Sequence, residues 1–399
     1  MSGAFGGSGA EPRIAVVGAG IGGLTLGLAL RERGVDCRLF ERSGELAEVG
    51  AAVAVAANGS RILCRLGLGE RLDAVSDVPT ELIYRHWRDG RVLARHPAGD
   101  EYRRRFGAPL WGVHRAELQR ALYEAWGVEA VRLGRVLTGL REVGGEMVLR
   151  FADGEEVTAD VVVGADGVHS AVREWVAPGS TPVYSGTSGF RGLAPVTDLP
   201  SLPDPGAIQY WLGPGAHLLH YRIGSVVNFL AVLDGPDRWD SPGGTAPSEP
   251  GELAARFDGW HPAVREMINA VPQSPRWALL TLPALRCWSR AGAVLLGDSA
   301  HAMVPHHGQG ANQTIEDAAE LADCLADAGP GDRAGAFAAY QRRRRARTRQ
   351  VQRASWDTSA ALHLPDGPEA SARDARLRSV DADLEWIHGH GSRAPVGRS

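Results

Sequence analysis

Apolar positions in the first forty residues form two strand-like runs around one helix-like run. Arg13 to Val17 (RIAVV) shows no alternation, the pattern of a parallel strand buried on both faces. It breaks into Gly18-Ala19-Gly20-Ile21-Gly22-Gly23. Leu24, Leu26, Leu28 and Leu30, interleaved with Ala and Gly, then predict a helix pressed against a sheet. Asp36 to Phe40 predicts a second strand, ending at Glu41. The strand-to-glycine-turn pattern returns twice. Asp160 to Val163 runs into Gly164, Asp166 and Gly167 before a helix opening at Ser170 to Arg173, and AGAVLL runs into Gly297-Asp298. About Val183 to Leu282 differs: TSGFRGLAPV, AIQYWLG and HLLHYRIGSVVNFLAVL alternate with period two, predicting an antiparallel sheet with one covered face.

Composition changes the picture mainly by exclusion. A chain of 399 residues with 44% hydrophobic and 23% charged positions fits one large α/β unit or two intertwined domains. The net charge of -4 argues against a nucleic-acid partner, and no run approaches the ~18 apolar residues of a membrane helix. The start, MSGAFGGSGAEP, has neither a basic nor an apolar signal region and reads as a disordered lead-in. Cys37, Cys64, Cys287 and Cys324 have no metal-ligand spacing, which suits a reducing cytoplasm and predicts no metal. All 43 basic residues are arginine, so a Walker A lysine, a pyridoxal Schiff base and a lysine general base are excluded. YQRRRRARTRQVQRAS predicts a solvated helix whose arginines spread around its surface.

The first turn satisfies G-x-G-x-x-G through Gly18, Gly20 and Gly23, with Ile21 and Gly22 between. Such glycines allow a tight turn and let a pyrophosphate reach the free N–H groups at a helix N-terminus. Glu41 falls where a carboxylate accepts both ribose hydroxyls of an adenosine, which argues against a 2′-phosphate here and leaves FAD and NAD both open. Asp166 could instead simply cap the following helix. The stretch GDSAHAMVPHHGQGANQTIEDA is too polar for a core strand and too rich in Gly and Pro to begin as helix. It reads as a loop presenting amides and an imidazole to a ligand.

In their order and spacing, G-x-G-x-x-G, GADGVHSAVR and GDSAHAMVPHHGQGANQTIEDA resemble the single-component flavoprotein aromatic hydroxylases, the family of p-hydroxybenzoate and salicylate hydroxylases, from about Arg13 to at least Leu364. The resemblance implies an α/β fold: a Rossmann-like FAD-binding domain of the glutathione-reductase type, interleaved with a β-sheet substrate domain and followed by C-terminal helices. The implied division gives 13–75, 111–178 and 283–330 to FAD, and 76–110 and 179–282 to the substrate. Residues 331–390 are then C-terminal helices, with disordered ends at 1–12 and 391–399.

Carried over by motif, the cofactor contacts are Gly18, Gly20, Ile21, Gly22, Gly23, Glu41, Asp166, Gly297 and Asp298. WGVHRAELQRAL adds Arg115, and EVGAAVAVAANGSRIL adds Ala52 and Val53 near the ribityl and flavin ring. Arg42 and Val136 are further contacts. Gly308, Gly310, Ala311 and Asn312 would bring N–H groups to the ring, with the next helix starting at about Asn312. His217 and Tyr221, four apart on one strand face, correspond to the His and Tyr that salicylate- and 6-hydroxynicotinate-hydroxylating members place against substrate. The catalytic candidates are thus His217, Tyr221 and His306, with Arg191 in GFRGL for a substrate carboxylate. Each has a plain alternative: cross-strand packing, an exposed loop imidazole, a surface arginine.

The implied chemistry is hydroxylation of a small aromatic acid (hydroxybenzoate, aminohydroxybenzoate or salicylate-like) with NADPH or NADH and O2 through a flavin C4a-hydroperoxide. A base with pKa near neutral would deprotonate a phenol. An epoxidase, a hydroxylase of a larger polyketide, a flavin reductase that never uses O2 and a flavin-binding module without turnover remain alternatives. The expected partners are the aromatic substrate, O2 and NAD(P)H, with neither nucleic acid nor membrane, in a cytoplasmic monomer or homodimer.

Overall fold

The computed structural model describes residues 13–45, 52–271, 273–329, 331–379 and 381–391. The lead-in, the Glu48–Ala51 part of the ribityl segment and the tail from residue 392 lie outside these. The apolar run Ile14–Val17 is wholly buried at the centre of a six-stranded sheet, parallel to Val161–Gly164 on one side and Cys37–Phe40 on the other. Val131–Arg132 follows beyond Cys37–Phe40. On the other flank lie Ala293–Leu295 and then the short antiparallel edge Ser289–Arg290. All three glycine turns therefore leave neighbouring strands at one sheet end. Gly18 has φ +103°, and a Cβ on Gly23 would lie 1.9 Å from the Gly18 carbonyl oxygen, so both positions require glycine. Helix Ile21–Glu32 begins in this turn and packs against helix Gly310–Asp327.

A second sheet of eight strands runs in the order Thr245–Ala246, Arg276–Thr281, Val183–Pro195, Val226–Asp234, Ala216–Ile223, Ile208–Gly213, Glu81–His86, Val92–Pro97. Its alternation sorts the two faces. Phe190, Trp211, Leu218 and Phe229 pack on Phe257, Trp260, Val264 and Met267, while Arg191, Tyr210, Leu219 and Tyr221 face the opposite way, into a cavity. Within about Val183 to Leu282 the described pairings are all antiparallel, as expected. Ile208–Gly213 runs parallel to Glu81–His86, because that strand arrives from a distant segment rather than through a hairpin.

The arginine-rich helix also departs from expectation. In Arg333–Leu362 the buried positions Phe337, Tyr340, Arg344, Thr348, Val351 and Ser355 recur every three or four residues, so Arg344 falls on the inward stripe, 1% exposed. Its Nε donates to Asp317 Oδ1 at 2.6 Å, Nη1 donates to Glu316, and Nη2 donates to Gln313 Oε1 at 2.8 Å. Arg347 donates to both Glu316 oxygens, at 2.6 and 2.7 Å. Burial alone would raise the Glu316 carboxyl, but Arg344 and Arg347 more than offset it and hold it at about 2.

A depressed carboxylate contributes stability that is full above its unfolded pKa and lost as pH falls through the folded one. Glu316 is therefore expected to account for about 3 kcal/mol of acid destabilisation between pH 4.5 and about 2. Denaturant titrations across that window should show a shallower acid limb in Glu316→Gln. An unchanged slope would refute the assignment.

Candidate active site

The glycine turns, the inner face of the eight-stranded sheet and the C-terminal helices enclose one cavity of about 1180 Å³. At one end Gly18, Gly20, Ile21 and Gly22 meet Glu41, Arg42, Arg135 and Val136. Ala52, Val53, Arg115, Ala165–Gly167, Asp298 and the run Pro305–Ala311 line the middle. Arg191, Tyr210, Leu219, Tyr221 and Asn228 form the far wall. A Cβ added at Gly20, Gly167 or Gly310 would meet no atom within 4 Å, so the cavity is open alongside these backbones. Glu41 Oε2 accepts the Ala19 N–H at 2.8 Å, which fixes its carboxylate at the mouth of the first turn. An elongated cavity beginning at a glycine turn and a helix N-terminus, and ending on an aromatic sheet face, fits FAD with its adenosine at Glu41 and its ring at the sheet.

Not every sequence-predicted contact reaches the wall. Gly23 lies behind the turn, packed on Gly18. Gly297, at φ +65°, donates its N–H to Asp317 Oδ2 at 3.0 Å and makes room for Thr314, so it shapes the turn while Asp298 faces the cavity. Asn312 is fully buried. Its Oδ1 accepts the Ala56 N–H at 2.9 Å and its Nδ2 donates to the Ala54 and Gly308 carbonyls, so it staples the loop to strand Ala52–Val55. The helix starts at Gly310, two residues earlier than the sequence suggested. Gly308 is needed for its φ of +61° more than for space. Asp166 lines the cavity but also does the plain job: its carboxylate accepts from Ser170 Oγ and from the N–H groups of Ala171 and Val172 at the helix start. Burial is the main influence on it and raises its pKa.

The substrate-side candidates separate. Arg191 faces the cavity beside Arg115 and Tyr221, and among the described residues its guanidinium has no hydrogen-bonding or ion-pairing partner. Burial lowers its pKa, as does Arg115. Tyr221 is buried on the same wall, and desolvation raises its phenol. His306 sits in the turn Pro305–His307, 4% exposed, on the cavity wall, with both ring nitrogens unpartnered among the described residues. Burial pulls its pKa to about 3, with lesser help from His363 and His307. The expected near-neutral base is thus corrected: burial, with no hydrogen-bonded carboxylate among the described residues, keeps the ring a neutral imidazole. His217 is not on the wall. It stands behind His306 with ring centroids 5.1 Å apart, and burial, with His306 and His363, lowers it well below the usual range. His307 is half-buried rather than exposed and bonds Thr358 through Nε2 at 2.7 Å.

Sequence reasoning missed Tyr84 and Tyr210, whose rings stack at 5.2 Å, and the Tyr210 hydroxyl that donates to the His306 carbonyl at 3.2 Å. Period-two alternation places Tyr210 and Trp211 on opposite faces without saying which is inward. It also missed Leu377, Leu384, Ile387 and His388, which close the cavity from the C-terminal helices. Among the described residues no His, Cys, Asp or Glu cluster could hold a metal ion, and no helix is long and apolar enough to cross a membrane.

A family profile described as FAD binding domain matches residues 11–217 and 278–355. The 3-amino-4-hydroxybenzoate 2-monooxygenase PtmB3 of Streptomyces platensis is 42% identical over 393 residues, covering 97% of this chain and 98% of that protein. The 6-hydroxynicotinate 3-monooxygenase of Pseudomonas fluorescens is 36% identical over 353 residues, covering 88% and 91%. The crystal structure of Klebsiella pneumoniae HpxO complexed with FAD and uric acid superposes with a TM-score of 0.83 at 26% identity, covering 94% and 96%. Fold and cavity together define a single-chain flavoprotein hydroxylase. The chain belongs to the FAD-binding family of aromatic hydroxylases and is an FAD- and NAD(P)H-dependent aromatic monooxygenase.

Proposed function

We propose that the substrate is a small hydroxylated aromatic acid, foremost 3-amino-4-hydroxybenzoate, held with its carboxylate on Arg191 and its hydroxyl toward His306. One observation carries this reading: a guanidinium without a counter-ion and an imidazole without a hydrogen-bond partner among the described residues face the same aromatic-walled cavity. An exposed guanidinium without a counter-ion among the described residues, on the wall of a cavity, favours a carboxylate ligand. The rings of Tyr84 and Tyr210 and the side chain of Leu219 give a flat ring its apolar contact. PtmB3, whose name carries that amino-hydroxy acid, aligns over nearly the whole chain.

When bound, FAD supplies an oxygen atom from O2 at the expense of NAD(P)H. The protein's share is orientation and dryness. Arg191 fixes one end of the ring, His306 accepts a hydrogen bond from the hydroxyl, and the Tyr221 hydroxyl, beside Arg191, orients the acid. The C-terminal helices exclude water from the far side. Gly18, Gly20, Ile21, Gly22, Glu41 and Arg42 would hold the adenosine diphosphate. Arg115, Asp298, Ala52, Val53 and the amides of Gly308 to Ala311 would hold the ribityl and ring. A reducing, cytoplasmic setting accords with four free cysteines.

Product analysis under ¹⁸O2 tests the substrate. One labelled oxygen should enter 3-amino-4-hydroxybenzoate faster than salicylate or 6-hydroxynicotinate. Absence of labelled product from that acid, with label in another, would transfer the assignment. Glu41→Ala is expected to release FAD in a simple ultrafiltration assay while leaving the fold intact. Full flavin retention would remove Glu41 from the cofactor site.

A further inference from the structure

Behind His306 stands a series of buried imidazoles that ends at an exposed carboxylate. His363, the residue after helix Arg333–Leu362, places Nδ1 2.5 Å from Asp234 Oδ1 and Nε2 2.8 Å from His217 Nδ1. His217 then meets His306 edge to face, with ring centroids 5.1 Å apart and, among the described residues, no hydrogen bond to either His306 ring nitrogen. Burial falls away at one end only: His217, His306 and His363 are 1%, 4% and 7% exposed, whereas the Asp234 side chain is 59% exposed. The arrangement is fixed by backbone as well. The Gly215 N–H donates to the His363 carbonyl at 2.9 Å, and the Asp234 N–H donates to the Gly215 carbonyl at 3.0 Å. His363 and Asp234 both lie outside the segments that match the family profile.

We propose that Asp234, His363, His217 and His306 form a proton path between the substrate hydroxyl and solvent. A carboxylate only accepts, so His363 Nδ1 carries a hydrogen. With one proton on that ring, its Nε2 accepts from His217 Nδ1, which leaves His217 Nε2 bare. The hydroxyl proton passes to the free nitrogen of His306 and, once that ring turns to hydrogen-bond His217, the proton on its other nitrogen passes to His217 Nε2. The His217 Nδ1 proton moves to His363 Nε2, and the His363 Nδ1 proton leaves through Asp234 to water. Each imidazole ends neutral in its other tautomer, and the negative charge stays on the substrate oxygen. Neutral rings, which the burial of His217 and His306 enforces, are what such a transfer needs. Asp234 and His363 are positioning residues, since neither touches substrate.

The inference rests on the substrate orientation proposed above. It is tested with resting, FAD-loaded enzyme and no nicotinamide. The hydroxyaromatic acid that the unaltered enzyme turns over fastest is mixed in, and the rise of phenolate absorbance is followed. His363→Gln and Asp234→Asn, which keep hydrogen bonds but not proton exchange, should slow that rise at least 10-fold with FAD content and acid affinity unchanged. Imidazole added to His363→Ala should restore most of the rate. Unaltered phenolate rates in both variants, or losses that imidazole leaves untouched, would overturn the path. A wrong substrate class shows itself earlier, as no turnover of 3-amino-4-hydroxybenzoate, so the two failures are distinguishable.

Discussion

Arg191→Met should raise the KM for 3-amino-4-hydroxybenzoate by roughly 30-fold to 1,000-fold, the equivalent of about 2–4 kcal/mol for a desolvated, charge-assisted contact. FAD content should not change, because Arg191 lies on the sheet wall, away from the glycine turns. The fold should be no less stable, since the native side chain is exposed and has no counter-ion among the described residues. Steady-state kinetics with the acid and with its neutral primary amide provide the check. The wild-type preference for the acid should collapse in the variant, with the amide almost unaffected. An equal loss for both compounds would mean that Arg191 acts through packing on Trp277, whose ring centroid lies 5.8 Å from the guanidinium carbon.

The largest stability effect is expected at Arg344. Alanine there leaves Glu316 and Asp317, 4% and 0% exposed, without the guanidinium they share, which costs about 3–5 kcal/mol. The loss should also reach the flavin. Glu316 Oε1 accepts from Asn58 and Gln313, and Asn58 holds Gln309 in the loop beside Gly308 and Gly310. Urea unfolding of Arg344→Ala, together with its FAD retention, is the measurement. A change below about 1 kcal/mol would show that the two acids find other partners or take up protons.

Much of this architecture is legible in local pattern. Ile14–Val17, Val161–Gly164 and Ala293–Leu295 read as buried parallel strands because each is apolar and runs into a glycine turn, a form that suits a doubly covered strand. The cofactor cavity is legible for the same reason: its walls are turns, and turn chemistry is written in consecutive residues. The substrate end is not. Arg191, Tyr210, Tyr84 and His306 come from four separate segments, and what makes Arg191 and His306 chemically available is the absence of partners, which no local pattern encodes. His217 shows the converse. Its strand face was correctly paired with that of Tyr221, but its position along the strand sets it behind His306 and against His363, a contact spanning 146 residues. The arginine-rich helix was misread because composition records charge and not phase. Only the three-to-four spacing of its buried positions brings Arg344 inward.

The central claim is that one cavity holds FAD and a small aromatic acid together, with the acid controlling the chemistry. Its most direct test is anaerobic mixing of the purified protein with NADPH or NADH, in the presence and absence of 3-amino-4-hydroxybenzoate, while the flavin's visible absorbance is followed. The account predicts a yellow protein whose flavin bleaches many-fold faster when the acid is present, and less so in Arg191→Met. A yellow protein whose reduction rate ignores every hydroxyaromatic acid offered would contradict it.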